Sequence, residues 1–378
     1  MKTDIVIRGG YGFGNFGDDA LMYTIVTELE TVSKDIMLLC QSASYISNIL
    51  PGIKVFDYHK IKQPIYSNLL IYGGGTQFYH FKKNRLSKKG LKDKILSPNH
   101  IKSYIRKKIL KNNYIENKFQ ISDYAKHIAL VGVGVGPFDI ENSFVENKTA
   151  NLFAKSDFVG VRDEFAMKKA KGWGVDKPVL SPDICYSFRS HFLENYKNDS
   201  KEIKKIGIIV RDWNYANGGG EYYEHLQEAS ARLEKEGYEV NYILFDIQSD
   251  LYWYGKRNEL NIILWNPEKD TFDSFLEKIS KFDLFITARF HGAIFATLLQ
   301  TPFITIEVEQ KLKFISETYK ESSFCWERPF ILDDLYSKIG LINENYNHRK
   351  NMITQKMLEF RHLSDQMFSE LKEYYKTL

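Results

Sequence analysis

Cysteine is scarce in this sequence, and its few cysteines lack the spacing of a metal site. Cys40, Cys185 and Cys325 are scattered through 378 residues without a Cys-x-x-Cys pair. This pattern indicates neither a disulfide framework nor a zinc site. Nor does any cluster of His, Asp and Glu have the spacing of metal ligands. We therefore expect no metal and a reducing, cytoplasmic environment.

Long apolar runs and a strong net charge are also missing. No apolar run approaches the length that spans a membrane, and the N-terminus lacks the charged leader and apolar core of a secretion signal. Lys and Arg number 52 against 48 Asp and Glu, so the formal net charge is only +4. We expect neither a transmembrane helix nor a secretion signal, and the small charge does not indicate a nucleic acid partner.

What the chain does contain is an alternation of short apolar runs and amphipathic segments, typical of parallel α/β folds. Strands are predicted at residues 5–7, 36–40, 53–56, 69–72, 128–131, 158–161, 206–210, 240–245, 262–265 and 284–287. Helices are predicted at about 147–154, 221–236, 272–280, 333–339 and 348–376.

The two halves of this alternation predict two Rossmann-like domains that face each other across a cleft. Residues 196–205 are polar and rich in Lys and Asn, so we interpret them as an interdomain linker. We expect an N-terminal domain at 1–195, a C-terminal domain at 196–330, and C-terminal helices at 331–378 that pack back on the domains. Ligands of such folds bind at the carboxyl edges of the sheets.

A glycine-rich turn follows the first predicted strand. Residues 9–17 hold five glycines, and either Asp18 or Asp19 is a suitable N-cap for the helix that follows. Glycines at such a turn let the backbone approach a ligand closely, but their spacing does not match a dinucleotide or phosphate loop. A tight turn without a ligand is therefore an equal alternative. A second glycine-rich strand end, residues 73–75, would widen the same cleft.

The most informative stretch is residues 282–306, FDLFITARFHGAIFATLLQTPFITI. Its pattern predicts a strand, a tight turn and a helix that ends at Pro302. The turn places Arg289 and His291 at the carboxyl edge of a parallel sheet, beside a helix N-terminus that favours an anion. A small anionic substrate is the first hypothesis, and a packed or helix-capping histidine is the alternative.

A basic insertion at about 78–122 interrupts the first half. Between residues 80 and 120, thirteen Lys or Arg stand against two acids. Such a run is usually a solvated helix surface. The sharper hypothesis is that residues 82–118 attract an anionic membrane surface or a pyrophosphate head group, since each clustered cation near a bilayer contributes roughly 1 kcal/mol.

Taken together, the ordered motifs resemble those of the polysaccharide pyruvyl transferase family. The resemblance covers about residues 4–316 and rests on residues 14–20 (GNFGDDA), 73–75 (GGG), 132–137 (GVGVGP), 161–163 (VRD), 182–183 (PD) and 288–292 (ARFHG), with a proline ten residues after the last glycine. Val133 stands where relatives often carry Gln, and Phe290 where Leu is usual. The resemblance implies a GT-B-like fold and transfer of the pyruvyl group of phosphoenolpyruvate to two hydroxyls of a sugar, forming a ketal without a cofactor.

The resemblance also implies roles for individual residues. Arg162, His291 and Lys311 match positions implicated in donor binding or catalysis, while Asn15 and Asp18 match the motif on the acceptor side, to which we add Gly74 and Gly75. Position and charge add Arg211 and Arg289 as cations for the phosphate and carboxylate of the donor.

The roles of His291, Arg162 and Lys311 are predictions, and for some of them an alternative remains open. His291 is the candidate general acid, because a histidine ordinarily titrates near neutral pH, and we predict catalytic roles for Arg289 and Arg162 beside it. For Arg162, an ion pair with Asp163, Asp183 or a helix carboxylate is the competing explanation. Lys311 is preferred over Lys313 by its match to the family pattern.

Three functions follow from these observations. The first is a ketal-forming pyruvyltransferase acting on a cell-surface polysaccharide or its polyprenyl-pyrophosphate-linked precursor, in the cytoplasm or at the inner face of the membrane. The second is a nucleotide-sugar glycosyltransferase of the same fold. The third is a non-catalytic relative that binds a glycan or an anion.

Overall fold

Two units, each built around one parallel β-sheet, make up the described part of the chain. The structure, a computed structural model, describes residues 1–80, 120–138, 143–213 and 220–378. Unit 1 comprises Met1–Gly12, Leu21–Ile184 and Gln366–Leu378, and unit 2 comprises Phe13–Ala20 and Cys185–Asp365. The basic insertion predicted at 78–122 lies almost entirely outside the described residues.

The described part of unit 1 contains a seven-stranded sheet whose neighbouring strands are all parallel. Its strands are β1 (Lys2–Arg8), β2 (Ile36–Cys40), β3 (Lys54–Asp57), β4 (Tyr66–His80), β5 (Ala125–Phe138), β6 (Phe158–Val161) and β7 (Val179–Leu180). Their order across the sheet is β3-β2-β1-β4-β5-β6-β7. Its helices include α1 (Phe16–Leu29), which begins in unit 2, α2 (Ile46–Ile49), α3 (Phe144–Ala154) and α4 (Glu164–Gly172).

Unit 2 has a six-stranded parallel sheet among its described residues. Its strands are β8 (Lys205–Ile209), β9 (Glu239–Leu244), β10 (Ile262–Leu264), β11 (Leu284–Thr287), β12 (Phe303–Ile306) and β13 (Ser323–Trp326). Their order is β10-β9-β8-β11-β12-β13. The helices are α5 (His191–Asn195), α6 (Tyr222–Lys235), α7 (Leu251–Gly255), α8 (Phe272–Ile279), α9 (Phe290–Leu298), α10 (Gln310–Thr318), α11 (Leu332–Glu344) and α12 (Tyr346–Lys376), the last of which ends in unit 1.

Burial explains why the central apolar runs form strands. Every residue of β6, β11 and β12 is buried. Parallel strands covered on both faces read as continuous apolar runs rather than as alternating ones. The strand, turn and helix predicted for residues 282–306 are confirmed as β11 and α9. Within the described residues, no helix combines the length and the apolar character needed to cross a membrane.

Phe16 explains why residues 13–20 group with unit 2 rather than with the predicted N-terminal domain. Its ring lies among those of Phe245, Phe275 and Phe295, with centroid distances of 4.8, 4.7 and 4.6 Å. Its backbone N–H also donates to the Phe245 carbonyl at 2.9 Å. An aromatic cluster of this kind depends on long-range packing, which the glycine-rich sequence around Phe16 did not reveal.

The segment predicted as an interdomain linker, residues 196–205, belongs to unit 2. Asn198 is only 8% exposed, and its Nδ2 donates to the Gln300 carbonyl and to Thr301 Oγ1, both at 3.1 Å. Its polar composition therefore reflects hydrogen bonding to the unit, because a linker would leave such a side chain in solvent. The contacts place the change between units after Ile184, which differs from the predicted boundary after residue 195.

The glycine segments 73–75 and 132–136, which follow the predicted strands 69–72 and 128–131, lie inside strands. β4 runs through Gly73–Gly75 to His80, and β5 runs to Phe138, with Gly75 paired to Val133. The φ angles of Gly74 and Gly75 are +59° and +74°, so these positions favour glycine on backbone grounds alone. We predicted strand ends here because glycine usually interrupts a strand. That prediction was wrong, since both strands continue through their glycines.

The structure also contains α10 and β13, which the sequence did not predict, and a different cap for α1. Asn15 Oδ1 accepts hydrogen bonds from the backbone N–H groups of Gly17 and Asp18 at 3.0 and 3.3 Å. Asn15 therefore caps the helix, and the prediction of Asp18 or Asp19 as the N-cap was wrong. Both aspartates lie in the first turn, where their charge also favours the helix dipole.

Candidate functional site

Polar side chains collect at the carboxyl edge of the unit 2 sheet. Arg211 follows β8, Asp246 follows β9, Arg289 follows β11 and Glu309 follows β12. Because parallel strands all end at the same edge, these side chains belong to one region of the unit. Residues 15–18 at the start of α1 join them within unit 2.

Arg289 forms the buried base of this region. It is 7% exposed, its Nη2 donates to Asp250 Oδ2 at 2.5 Å, and its Nε donates to the Val210 carbonyl at 3.0 Å. Its backbone N–H donates to Thr287 Oγ1 at 3.0 Å, and the Thr287 hydroxyl donates to its carbonyl at 2.9 Å. The guanidinium is thus held by two acceptors, the Val210 carbonyl and the Asp250 carboxylate, while Thr287 holds the backbone of Arg289.

Asp250 is the carboxylate that accompanies Arg289. It is fully buried, and its Oδ1 accepts the backbone N–H of Asp212 at 3.0 Å. Burial raises the pKa of Asp250, and the nearby Arg289 guanidinium opposes that rise. The two side chains form a desolvated ion pair in which each compensates the buried charge of the other.

His291 is the second residue of α9 and is half-buried. The Phe290 ring lies 5.8 Å from its ring in an edge-on arrangement. Its other side faces Gly17, where an added Cβ would lie 2.3 Å from His291 Nδ1 and 2.5 Å from its Cγ. The imidazole is therefore packed against the backbone of α1, and only glycine at position 17 leaves room for it.

Asp18 adds a carboxylate to the surroundings of His291. Burial raises the pKa of Asp18. The largest opposing influence on that pKa is His291, and Arg289 and Lys311 also lower it. Asp246 raises the pKa of Asp18 further through its own charge. His291 and the two cations therefore lie within electrostatic reach of Asp18 in unit 2.

The start of α1 is tied to this region by two further polar contacts. Asn15 Nδ2 donates to Asp246 Oδ2 at 3.4 Å, and Trp265 Nε1 donates to the buried Asp19 Oδ2 at 3.1 Å. Asp19 thus has a structural partner, whereas Asp18 is the aspartate of the pair that lies near the imidazole.

Arg211 and Lys311 form a second group, joined by Glu309. Lys311 Nζ lies 3.0 Å from Glu309 Oε1, and Arg211 Nη1 pairs with the same oxygen. Burial raises the pKa of Glu309, but Lys311 and Arg211 outweigh it and leave the pKa lowered. Lys313 instead pairs with Glu327 at 2.7 Å, so the structure brings Lys311 and not Lys313 to this group.

Arg162 lies in unit 1, at the end of β6. Its Nη2 donates to Thr76 Oγ1 at 3.1 Å, and it forms ion pairs with Asp163 at 3.6 Å and Asp183 at 3.8 Å. Gly134 leaves room for it, because a Cβ there would lie 2.6 Å from Nη2. The ion pairs considered as the alternative to ligand binding are therefore present, and the guanidinium is only 10% exposed.

Gly74 also has a packing reason to be glycine, besides its backbone angle. A Cβ at Gly74 would lie 3.1 Å from Leu21 and 3.2 Å from Ile184. Close packing of this kind accounts for glycine without a ligand. The role of Gly74 and Gly75 in acceptor binding stays a prediction.

The sequence pointed to His291, Arg289, Arg211, Lys311 and Asp18 but not to the residues that hold them. Asp250, Glu309 and Gly17 were not assigned. Asp246 and Asp250 follow the apolar run of β9 four residues apart, and that spacing was the available signal. Arg289, the partner of Asp250, is 39 positions away from it in the chain, which the local pattern does not encode.

A sequence model of the polysaccharide pyruvyl transferase family matches residues 15–310 of the chain. The match covers the segments that carry Asn15, Asp18, Arg162, His291 and Glu309. A comparison with curated proteins gives no significant match.

Several solved structures share the fold over nearly the whole chain. MnaA of S. aureus, solved with UDP, is 11% identical with a TM-score of 0.58 and covers 100% of this chain and 98% of its own. The UDP-GlcNAc 2-epimerase of Neisseria meningitidis, bound to UDP-GlcNAc, is 10% identical with a TM-score of 0.57 and covers 98% and 99%. A glycosyltransferase from Rickettsia africae ESF-5 is 13% identical with a TM-score of 0.53 and covers 99% and 98%. At these identities the likeness shows the fold alone, and it confirms the predicted GT-B-like α/β class with C-terminal helices.

Proposed function

Because the chain belongs to the polysaccharide pyruvyl transferase family, we propose that it transfers the pyruvyl group of phosphoenolpyruvate to two hydroxyls of a sugar. The product is a cyclic ketal and the leaving group is phosphate. The acceptor is a sugar of a cell-surface polysaccharide, such as an exopolysaccharide or a capsule, or its polyprenyl-pyrophosphate-linked precursor. No cofactor or metal takes part in the proposed reaction.

One observation supports this proposal most directly. A histidine, a nearby carboxylate and three cations, namely His291, Asp18, Arg289, Arg211 and Lys311, gather at one edge of the unit 2 sheet. Phosphoenolpyruvate carries a carboxylate and a phosphate, so its binding requires fixed cations. Its enol ether requires a proton donor, for which a histidine is suited.

The reaction balances with the residues of this site. His291 gives a proton to the methylene carbon, and the first sugar hydroxyl adds to the cationic carbon and returns a proton to His291. Phosphate then leaves with the electron pair of its C–O bond. The second hydroxyl adds to the same carbon, closes the ketal and gives its proton to the released phosphate.

The cations take different parts in this proposal. Arg211 and Lys311 have side chains that are 23% and 34% exposed, so they can reach the anionic groups of the donor. Arg289 is already paired with Asp250, and we propose that it supports the site from its buried position. Arg162 in unit 1 remains the predicted fourth contact to the donor, and Asn15, Asp18, Gly74 and Gly75 the predicted acceptor side.

The proposal is tested by phosphate release. The protein is incubated with phosphoenolpyruvate and acceptors that contain galactose, mannose or N-acetylmannosamine, and each acceptor is analysed by mass spectrometry for the ketal. Acceptor-dependent phosphate release is expected. Binding of phosphoenolpyruvate without turnover would indicate a non-catalytic relative. Thermal stabilisation by UDP or GDP sugars but not by phosphoenolpyruvate would indicate a glycosyltransferase.

Gly17→Ala should slow phosphate release by about tenfold, because the new methyl group would displace the His291 ring from its position. The matched control is Gly340→Ala, since Gly340 lies in α11 with open space around its added Cβ. Alanine there should leave the rate unchanged and the helix slightly more stable. Equal rates for the two variants would contradict the packing of His291 against α1.

For localisation, we propose the cytoplasm, with contact to the inner face of the membrane through the basic segment 82–118. Replacing Lys107, Lys108 and Lys111 by Gln should abolish salt-sensitive binding to vesicles that contain anionic lipid, because about 1 kcal/mol is lost with each charge. Co-sedimentation at low and high salt measures this binding. Unchanged binding of the triple variant would exclude this segment as the contact.

A further inference from the structure

A single carboxylate, that of Glu309, pairs with both of the more exposed cations of the site, Arg211 and Lys311. Oε1 of Glu309 pairs with Lys311 Nζ at 3.0 Å and with Nη1 of Arg211. The Glu309 side chain is only 17% exposed, so the three charges are partly shielded from water. Charges shielded in this way interact more strongly than charges at an open surface.

The helix that follows does not explain the placement of this carboxylate. Glu309 occupies the N-cap position of α10, where an acidic side chain ordinarily accepts a backbone hydrogen bond. Its side chain accepts none from α10. The carboxylate is directed at the two cations instead.

Both cations have supports besides Glu309. The Arg211 guanidinium lies over the Trp213 ring, 4.3 Å from its centroid, and Lys311 Nζ lies 5.8 Å from the centroid of Phe290. Cation–π contacts of this kind restrict where a charged group rests. Holding the cations in place is therefore not a task that requires Glu309.

We infer that Glu309 acts as an internal anion: it holds the position that a substrate oxyanion takes between Arg211 and Lys311, and it limits how tightly the site retains phosphate. The inference rests on the proposed function, in which phosphate enters as part of the donor and leaves as product. One carboxylate leaves the pair of cations with a net charge of +1. An entering phosphate displaces it from at least one cation, so the site binds oxyanions less tightly than two unopposed cations would.

Glu309→Gln tests this inference, because it keeps the shape of the side chain and removes its charge. Calorimetric titration with inorganic phosphate should show a Kd about tenfold lower than that of the wild type, for the loss of one partly shielded charge. Glu309→Ala should also bind phosphate more tightly. In the transfer reaction, Glu309→Gln should have a lower KM for phosphoenolpyruvate and a lower kcat, because phosphate leaves more slowly.

The matched control is Glu327→Gln. Glu327 pairs with Lys313 at 2.7 Å, and its side chain is 47% exposed, so this variant removes an equal charge from a different ion pair. Phosphate binding by this variant should equal that of the wild type. If Glu309→Gln binds phosphate no more tightly than Glu327→Gln, the inference is wrong, and weaker binding would show that Glu309 only positions the cations.

The titration also separates this inference from the proposed function. It uses phosphate alone and requires no acceptor or turnover. If the wild type releases no phosphate from phosphoenolpyruvate but Glu309→Gln still gains affinity, the proposed function falls and the role of Glu309 stands. If neither Glu309 variant binds phosphate detectably, the role of Glu309 is refuted, whatever the transfer assay shows.

Discussion

Replacing His291 by alanine should lower the rate of acceptor-dependent phosphate release by about 10²–10⁴-fold, the usual contribution of a positioned general acid. His291 is the second residue of α9 and is half-buried, with Asp18, Arg289 and Lys311 within electrostatic reach of the same region. His291→Gln should lose a similar factor, because glutamine retains hydrogen bonding but cannot deliver the proton. Rates are measured with phosphoenolpyruvate and the best acceptor of the panel.

The control for His291 is another histidine at the start of a helix in unit 2. His191 is the first residue of α5 and is exposed. His191→Ala should retain the wild-type rate. If His291→Ala keeps more than about a tenth of the wild-type rate, its loss is far smaller than that expected for removal of a general acid, and His291 is then not the proton donor. Phosphoenolpyruvate should still bind to His291→Ala, since Arg211 and Lys311 remain, and calorimetry separates this binding from catalysis.

Local sequence predicted the part of the fold that depends on local patterns. Residues 284–287 form a strand and a helix follows from Phe290, because an apolar β-branched run and an Ala-rich segment each encode their own structure. The same holds for α12, which starts at Tyr346, two residues before the prediction. The polar stretch at 196–205 was misread because its composition is that of a linker, although its Asn198 is buried.

For the candidate site too, the sequence predicted some of the residues and missed their partners. Arg289 and His291 were found because a strand-to-helix turn exposes side chains at a sheet edge. The partners of these residues come from other parts of the chain, and only the fold brings them together. Asp250 reaches Arg289 from the segment after β9, and Gly17 reaches His291 from α1. Burial decides the charge balance of the site, and the local pattern around these residues did not encode that burial.

Replacing Arg289 tests how much the buried ion pair with Asp250 contributes to the stability of unit 2. Arg289→Met should lower the free energy of unfolding of unit 2 by about 3–5 kcal/mol, because it leaves Asp250 as an uncompensated charge in the interior. Four of the five tryptophans of the chain, including Trp253 and Trp265, lie in unit 2. Tryptophan fluorescence during urea denaturation therefore reports mainly on this unit.

An exposed arginine in the same unit provides the control. Arg232 pairs with Glu236 at 3.1 Å, and its side chain is 52% exposed. Arg232→Met should change the unfolding curve little, since exposed ion pairs contribute little to stability. Similar curves for the two variants would show that the buried pair of Arg289 and Asp250 does not stabilise unit 2.

The pH dependence of Arg289→Met has a definite sign. Burial already raises the pKa of Asp250, and Arg289 opposes this rise, so its removal lets the pKa rise further. An acid whose folded pKa lies above its unfolded value binds more protons when folded, so stability falls as pH rises through the folded pKa. The deficit of Arg289→Met should therefore shrink as the pH is lowered toward the unfolded pKa of an aspartate, about 3.9.

A double variant shows whether Arg289→Met destabilises unit 2 by leaving the Asp250 charge without its partner or by disturbing the packing of side chains. Arg289→Met with Asp250→Leu removes both charges and keeps apolar volume, so it should recover most of the stability that Arg289→Met loses. It should not recover phosphate release if Arg289 supports His291 and Asp18 electrostatically. Recovery of both stability and turnover would show that the ion pair serves only to fill the interior beneath the site.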